Sequence, residues 1–319
     1  MSKKQVKYTN YINSNIQIDN KIIFNFEKSI IHFKNNAKDI TCMIILKELN
    51  FIVVSFYYKK SIHLYNINNH HLIKEINLET GNNYLSITKN NKLICSSPNG
   101  IISIIYINDN KYFFIQQSIK ISKSSIFKCI EMNNQKLICC CDDKTIKILS
   151  LDKKQDKYFI ESNVLLSNYS IFNIIEIPIK KEIMCELINN SIIFLNEITF
   201  TSNHIIKSLD LSNNQNNIQL IYNNIIVGGI KYIYLIKINN HLIIRKISFQ
   251  KKSINYISNL FNNNLYFCGN YLNNNYIYKA EIKNDKLIYK NIYYIKSEYP
   301  ILFLLPINSF INNIQLIYY

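Results

Sequence analysis

One sequence feature constrains the fold more than any other: an apolar strand pattern that recurs about every 39 to 46 residues. The clearest copy is LICCCDDKTIKILSL at 137–151, where two apolar runs flank a short polar turn. Each copy has another apolar run before it and a further one after it, so the repeating unit contains four strands. The other copies in the same register are FIVVSFYYKKSIHLYNI at 51–67, LICSSPNGIISIIYI at 93–107, EIMCELINNSIIFLN at 182–196, IIVGGIKYIYLIKI at 225–238 and LYFCGNYLNNNYIYKAEI at 265–282.

The composition of these runs indicates β-strands. They are rich in Ile, Tyr, Phe and Leu, and no segment keeps a helical period for three turns. Asn pairs such as Asn90-Asn91 and Asn133-Asn134 separate the runs, and asparagine is favoured in turns because it tolerates positive φ. The chain is therefore predicted to be all-β.

A period of this length, with four strands in each unit, is typical of β-propeller blades. We expect residues 1–18 to be an N-terminal extension and 19–319 to form a single seven-bladed propeller of four antiparallel strands per blade. The segment 298–319 is too short for a whole blade, so an N-terminal strand within 20–36 is expected to close it and remove an open edge. Counts of six and eight blades also stay open. The predicted blades are approximately 39–81, 82–123, 124–168, 169–212, 213–251, 252–297, and 298–319 plus 20–36.

The turn at 141–150 resembles the repeat of the WD40 family, whose blades typically carry a Ser-x-Asp-x-Thr-Ile-x-x-x-Trp-Asp run. Asp143 and Thr145 match the aspartate and threonine of that run. Cys141, Leu149 and Ser150 stand in place of its serine, tryptophan and aspartate, and the Gly-His dipeptide that opens many blades of the family is absent from the sequence. The resemblance extends over nearly the whole chain at low motif fidelity. It implies a divergent WD40-like propeller in which Cys141, Asp143, Thr145 and Leu149 form a structural motif.

The three consecutive cysteines, Cys139 to Cys141, raise the alternatives of a metal site or a reactive thiol. Alternation along a strand places Cys139 and Cys141 on one face and Cys140 on the other, with Cys129 on the neighbouring strand. No Cys-x-x-Cys pair or histidine at ligand spacing accompanies them, so buried small side chains are the favoured interpretation. The sequence also has no phosphate-binding glycine motif, and we expect no cofactor, no metal and no enzymatic activity.

The charge of the chain raises a question about partners. The formal net charge is +16, which on its own favours nucleic acid or anionic lipid. The lysines are scattered along the sequence and Arg245 is the only arginine, so an anionic-ligand propeller is kept as the alternative rather than the first hypothesis. The sequence has no apolar run long enough for a transmembrane helix and no N-terminal signal peptide, and the expected location is the cytoplasm, with the nucleus as an alternative.

The first hypothesis is a non-catalytic scaffold that binds other proteins, with acidic segments as the favoured partners. In propellers of the resembled family, the turns between second and third strands and the connections between blades line one face that commonly binds peptides. Tyrosine beside lysine suits such a surface because it combines rigid apolar area with charge. The candidate partner-binding residues are Tyr57, Tyr58, Lys60, Lys144, Lys231, Lys251 and Tyr271.

Overall fold

A computed structural model gives the fold of the chain. It describes residues 16–18, 22–24, 30–32, 40–46, 49–69, 71–107, 112–166, 168–207, 209–211, 218–221, 224–230, 232–248, 253–260, 264–271, 274–283, 286–295, 301–306 and 314–318. Within these ranges, side chains are described from residue 40 to residue 243, except those of 219 and 221.

Six four-stranded antiparallel sheets follow one another along the chain, each with its strands in sequence order. Sheet 1 contains β4 (Ile40–Leu46), β5 (Phe51–Phe56), β6 (Ser61–Asn66) and β7 (Leu72–Asn77). Sheet 2 contains β8 (Tyr84–Ile87), β9 (Leu93–Ser96), β10 (Ile101–Ile107) and β11 (Phe113–Lys120). Sheet 3 contains β12 (Ile126–Glu131), β13 (Leu137–Cys141), β14 (Thr145–Asp152) and β15 (Lys157–Leu165). The prediction of an all-β chain built from four-stranded antiparallel units is confirmed.

The next three sheets repeat this plan. Sheet 4 contains β16 (Ile171–Ile177), β17 (Glu182–Leu187), β18 (Ser191–Asn196) and β19 (Ser202–Ile206). Sheet 5 contains β20 (Ile218–Ile221), β21 (Asn224–Gly228), β22 (Tyr232–Lys237) and β23 (Leu242–Ser248). Sheet 6 contains β24 (Ser253–Leu260), β25 (Asn264–Tyr271), β26 (Asn274–Lys283) and β27 (Lys286–Ile295). A short 3₁₀ segment at Pro178–Lys180 joins β16 to β17.

The remaining strands form two smaller sheets. β1 (Ile16–Ile18) pairs with β2 (Ile22–Phe24), while β28 (Ile301–Pro306), β29 (Ile314–Tyr318) and β3 (Ile30–His32) form sheet 7. As expected, an N-terminal strand joins the C-terminal segment. The prediction of four antiparallel strands in this unit is wrong for the described residues, because the C-terminal segment contributes two strands and β3 lies parallel to β29.

A repeated β-bulge gives every four-stranded sheet the same distortion. The register between the third and fourth strands shifts by one residue within the pair, which bends the fourth strand and increases its twist. The shift occurs between Leu64 and Tyr65, Ile104 and Ile105, Ile148 and Leu149, Phe194 and Leu195, Leu235 and Ile236, and Lys279 and Ala280. The six sheets are therefore copies of one structural unit.

The hydrophobic core lies between successive sheets. One cluster joins sheets 1 and 2 around Val53 and Leu85, another joins sheets 2 and 3 around Ile102 and Leu137, and similar clusters join sheets 3 and 4 and sheets 4 and 5. The second strands β5, β13, β17 and β21 are buried along their whole length because a sheet covers each of their faces. This two-sided burial explains why the sequence of these strands is a continuous apolar run rather than an alternating one.

The first strands of the sheets contact one another in order. β4 contacts β8, β8 contacts β12, β12 contacts β16, β20 contacts β24, and β24 contacts β28. Sheets 4 and 5 are joined by their shared cluster, which includes Ile177 and Ile225. β28 in turn contacts β4, so the last sheet of the chain lies against the first.

Candidate interaction surface

The turn between the second and third strands of sheet 1 is bonded to the connection that leads into sheet 2. The backbone N–H of Leu78 donates to the carbonyl of Lys60 over 2.6 Å, and that of Asn82 donates to the carbonyl of Phe56 over 2.9 Å. The two segments approach so closely that a Cβ at Gly81 would lie 1.6 Å from the carbonyl oxygen of Tyr57. Residue 81 must therefore be glycine if the turn and the connection are to keep this contact.

The same arrangement is repeated in the sheets that follow. The N–H of Asp142 donates to the carbonyl of Ser125, and Ser170 Oγ donates to the carbonyl of Asp142 over 2.8 Å. The N–H of Ile188 then donates to the carbonyl of Ser170 over 3.0 Å. These turns and connections share one surface, which we call the loop face; its described residues are 57–60, 78–83, 97–100, 121–125, 142–144, 168–170, 188–190, 207, 209–211 and 229–230.

The turn at Asp143 is held by side-chain hydrogen bonds. Oδ1 of Asp143 accepts from the backbone N–H of Thr145 at 3.1 Å and from its hydroxyl at 2.5 Å. Oδ2 accepts from Ser122 Oγ at 2.8 Å and lies 3.1 Å from Lys147 Nζ. Because Ser122 belongs to the preceding connection, one carboxylate ties the turn of sheet 3 to the segment that leads into it.

The surroundings of Asp143 also set its protonation. Partial burial raises the pKa of Asp143, but the hydrogen bonds from Thr145, Ser122 and Lys147 outweigh it and hold the pKa below its ordinary value. The other two residues of the predicted motif, Cys141 and Leu149, are fully buried in the cluster between sheets 2 and 3.

The loop face exposes an aromatic pair beside lysines. Tyr58 is 76% exposed and Tyr57 43% exposed, and their rings meet edge to face with centroids 4.9 Å apart. Lys59 Nζ lies 4.8 Å from the centroid of the Phe56 ring, while Lys60 extends into solvent. Lys144 is also exposed and takes a left-handed backbone conformation with φ of 68° at the turn of sheet 3.

The structure leaves three predicted partner-binding residues without a described side chain. Lys231 and Lys251 lie outside the described residues, and Tyr271 is the last residue of β25. Their contribution to the loop face stays a prediction.

The sequence prediction missed three apolar side chains that extend the loop face. Tyr169, Ile188 and Ile230 are each about half exposed at the turns and connections of sheets 3 to 5. The sequence contained a signal for two of them, because Tyr169 follows Asn168 and Ile188 precedes Asn189. Asparagine indicates a turn, and an apolar side chain in a turn is not buried by a neighbouring sheet as one in a strand is.

A buried polar network joins the first strands of sheets 3 and 4. Nζ of Lys128 donates to Oδ1 of Asn173 at 2.9 Å, and Nδ2 of Asn173 donates to Oε2 of Glu186 at 3.3 Å. Lys128 Nζ also lies 4.9 Å from the centroid of the Tyr84 ring. Burial lowers the pKa of Lys128 to about 8 and raises the pKa of Glu186 to about 7.

A serine, a histidine and a glutamate come together on β6 and β7. Ser61 Oγ lies 3.2 Å from His63 Nε2, and Glu75 Oε1 lies 3.3 Å from the same nitrogen. Tyr65 OH is 3.2 Å from the other ring nitrogen, Nδ1. In a Ser-His-Asp triad the hydroxyl and the carboxylate bind opposite ring nitrogens, so this cluster does not have the geometry of that relay.

The cysteines of β13 are core residues. Cys139 and Cys141 face the cluster between sheets 2 and 3, together with Cys129, whereas Cys140 faces Cys185 between sheets 3 and 4. The Sγ atoms of Cys139 and Cys129 are 3.1 Å apart. Burial raises the pKa of the Cys140 thiol far above its ordinary value, which disfavours the thiolate that nucleophilic attack requires. The predicted division of the three thiols between two faces is confirmed.

Comparisons with known proteins do not add a family. No family model matches the chain, and no curated protein matches it at a significant level. Within the described part of the chain, no helix has both the length and the apolar character needed to cross a membrane. The same residues contain no group of three or more His, Cys, Asp or Glu side chains that could hold a metal ion.

Proposed function

We propose that this chain is a divergent WD40-like β-propeller of seven blades and that it acts as a non-catalytic scaffold for protein partners. The propeller is supported by the six bulged four-stranded sheets and by the contacts between successive first strands, with sheets 4 and 5 joined through their shared cluster. It is also supported by β28, which contacts β4, and by β3, which pairs with β29. In this proposal sheet 7 is the closing blade, completed by the N-terminal strand.

The observation that carries the binding proposal is the exposed Tyr57 and Tyr58 pair beside Lys60 on the loop face. Two large aromatic side chains that project from a tightly bonded turn lose little conformational freedom when a partner covers them. Hydrogen bonds from the connection at Leu78 and Asn82 hold this turn in place. The two tyrosine rings thus form a fixed apolar surface beside a positively charged lysine.

Charge on the loop face favours acidic partners. Its exposed lysines are Lys60, Lys123, Lys144 and Lys207, while the exposed carboxylates in the described part of the face are those of Glu79 and Asp142. Complementary charge increases the rate of encounter and selects against basic partners.

The proposal is tested by affinity capture of the tagged full-length protein from its own cells, followed by mass spectrometry. The variant combines Tyr58→Ala with the charge reversals Lys60→Glu and Lys144→Glu. The matched control combines Ile198→Ser and Lys181→Glu, which alter an exposed apolar residue and an exposed lysine in the opposite turns of sheet 4. We expect the control to retain a discrete set of proteins at high salt and the loop-face variant to lose them.

Two results would contradict the proposal. Equal capture by the variant and the control would reject the loop face as the binding surface. Recovery of nucleic acid or lipid alone, lost as salt is raised, would replace the scaffold with the anionic-ligand alternative, since phosphate contacts weaken steeply with salt.

A further inference from the structure

The fourth strand of sheet 3 has an open hydrogen-bonding edge. β15 pairs with β14 along one side, and no described strand pairs with its other side. At nine residues, β15 is longer than the fourth strands of sheets 1, 2, 4 and 5. An unpaired edge of this length can accept another strand through main-chain hydrogen bonds.

The neighbouring sheet covers only the beginning of this edge. Gln117 of β11 donates from Nε2 to the carbonyl of Tyr158 and accepts from its N–H, each over 2.8 Å. The amide of Gln117 therefore occupies the place that a partner strand would take. Gln116 bonds the carbonyl of Asp156 in a similar way over 2.9 Å.

The rest of the edge is not covered in this way. Backbone groups alternate in direction along a strand, so those of Ile160 point away from β14, as those of Tyr158 do. Within the described part of the chain, no other strand bonds the outer side of residues 160–165. Main-chain donors and acceptors are therefore available over this stretch.

The side chains along β15 define the chemistry of a partner. Leu165 is 73% exposed and Phe159 51% exposed. Lys153, Lys154 and Lys157 are exposed at the start of the strand, and none of them takes part in an ion pair among the described residues.

Two of the nearby acids are paired with lysines, and the carboxylate of Asp152 accepts from the backbone of Lys154 and Gln155, so the three exposed lysines leave the edge basic. Asp156 is paired with Lys92 at 2.5 Å, and Glu161 is paired with Lys136 at 2.6 Å. The edge of sheet 3 therefore exposes the apolar side chains of Phe159, Ile160 and Leu165 and is positively charged at its beginning.

We propose that the outer edge of β15 is a second interaction surface, which binds an extended acidic segment of another protein as a fifth strand of sheet 3. The open edge selects an extended backbone, the exposed Phe159 and Leu165 select apolar side chains, and the three lysines select carboxylates. The N-terminal segment of this chain, MSKKQVKY, carries lysines and no acid, so its charge does not complement the edge. This surface is separate from the loop face.

The test uses the full-length protein and a synthetic nine-residue peptide that alternates Glu and Val, with a Lys and Val peptide as the probe control. Binding is measured by titration at low salt, and amide hydrogen exchange locates the site. We expect the acidic peptide to slow exchange within residues 160–165. The acidic peptide should bind about tenfold or more weakly to a variant that combines Lys153→Glu, Lys154→Glu and Lys157→Glu. Leu165→Ser should weaken this binding as well, while Ile198→Ser, at an equally exposed position away from this edge, should leave it unchanged.

Several outcomes would overturn the proposal. They are unchanged exchange at 160–165, equal binding of the two peptides, and undiminished binding to the triple lysine variant. Protection that appears on the loop face instead would also reject the β15 edge while leaving the scaffold proposal intact. Loss of the loop-face partners in the capture experiment, conversely, has no bearing on this edge.

Discussion

At the scale of single residues, Asp143 is the side chain on which the turn of sheet 3 most depends. Asp143→Ala removes the acceptors used by Thr145 and Ser122 and leaves Lys147 without its carboxylate. We expect the free energy of unfolding to fall by about 1 to 3 kcal/mol, because the partly buried donors lose their partners. Chemical denaturation of the purified protein measures the change.

The adjacent Asp142 provides the control for this prediction. Its side chain is exposed, and its bonds to Ser125 and Ser170 use the backbone, which alanine retains. Asp142→Ala should change the free energy of unfolding by less than about 0.5 kcal/mol. Equal losses for the two variants would show that Asp143 has no special part in the turn.

Glu186 gives a prediction about pH. Its pKa rises from 4.5 to about 7 on folding, because the carboxyl group is buried. The folded state therefore binds this proton more tightly than the unfolded chain does, and the free energy of unfolding falls as pH rises from about 4.5 to about 7. Glu186→Gln retains an oxygen for Asn173 and cannot ionise, so it should remove this fall and be more stable than the natural protein at pH 8, by on the order of 1 to 3 kcal/mol.

Denaturation midpoints between pH 4.5 and pH 8 measure this effect. Glu79→Gln, at an exposed position of the loop face, is the control and should leave the pH profile unchanged. A Glu186→Gln variant that follows the natural profile over this interval would contradict the assignment of the titration to Glu186.

These two sites also mark how far residue roles could be predicted from the sequence. Asp143 and Thr145 were predictable because their contact is local and follows the chemistry of a tight turn. The contacts among Lys128, Asn173 and Glu186 were not predictable, since these residues lie in two different sheets. Each of them also belongs to a largely apolar run whose sequence predicts a buried strand. Only the arrangement of one sheet against the next brings them together.

At the scale of elements, the bulge in each fourth strand sets which side chains of that strand are buried. In sheet 3 the bulge at Glu161 leaves Tyr158 buried against sheet 2. Deleting Glu161 makes Ser162 and Ile160 consecutive opposite Ile148 and Leu149, so 157–160 keep their partners on β14 while the bulge and the bend that it gives to β15 are lost. We expect a loss of about 1 to 3 kcal/mol in the free energy of unfolding, because the straightened strand moves Tyr158 out of its packing against sheet 2.

Glu161→Ala is the control for the deletion. It keeps the bulge and removes only the exposed contacts with Lys136 and Ser150, so its effect should stay below about 1 kcal/mol. If the two variants are equally stable, the bulge does not position Tyr158 against sheet 2. The strands themselves were predictable from their apolar runs, whereas the bulges were not. The fourth strands are apolar on one face and mixed on the other, so one inserted residue does not visibly interrupt their sequence pattern.

At the scale of the whole molecule, the N-terminal strand is the element that links the two ends of the chain. The sequence predicted its place because 298–319 is too short for a full unit, but it did not predict the parallel direction, since an apolar strand pattern is the same in either direction. β3 lies parallel to β29, and β28 contacts β4. Sheet 7 therefore depends on a strand that is almost 300 residues away in sequence.

Ile31→Pro tests this closure. Proline removes the backbone N–H of the central residue of β3 and disrupts its pairing with Ile317, so we expect a loss of about 1 to 3 kcal/mol in the free energy of unfolding. Ile23→Pro is the matched control, because Ile23 is the central residue of β2, which pairs only with β1 among the described strands. Thermal denaturation should show a large decrease for Ile31→Pro and a small one for Ile23→Pro. In the proposed propeller the sheets form a closed ring that shares the loss, so Ile31→Pro should lower one cooperative transition. A separate early transition confined to the last sheet would indicate that the ends are not joined into a single folding unit.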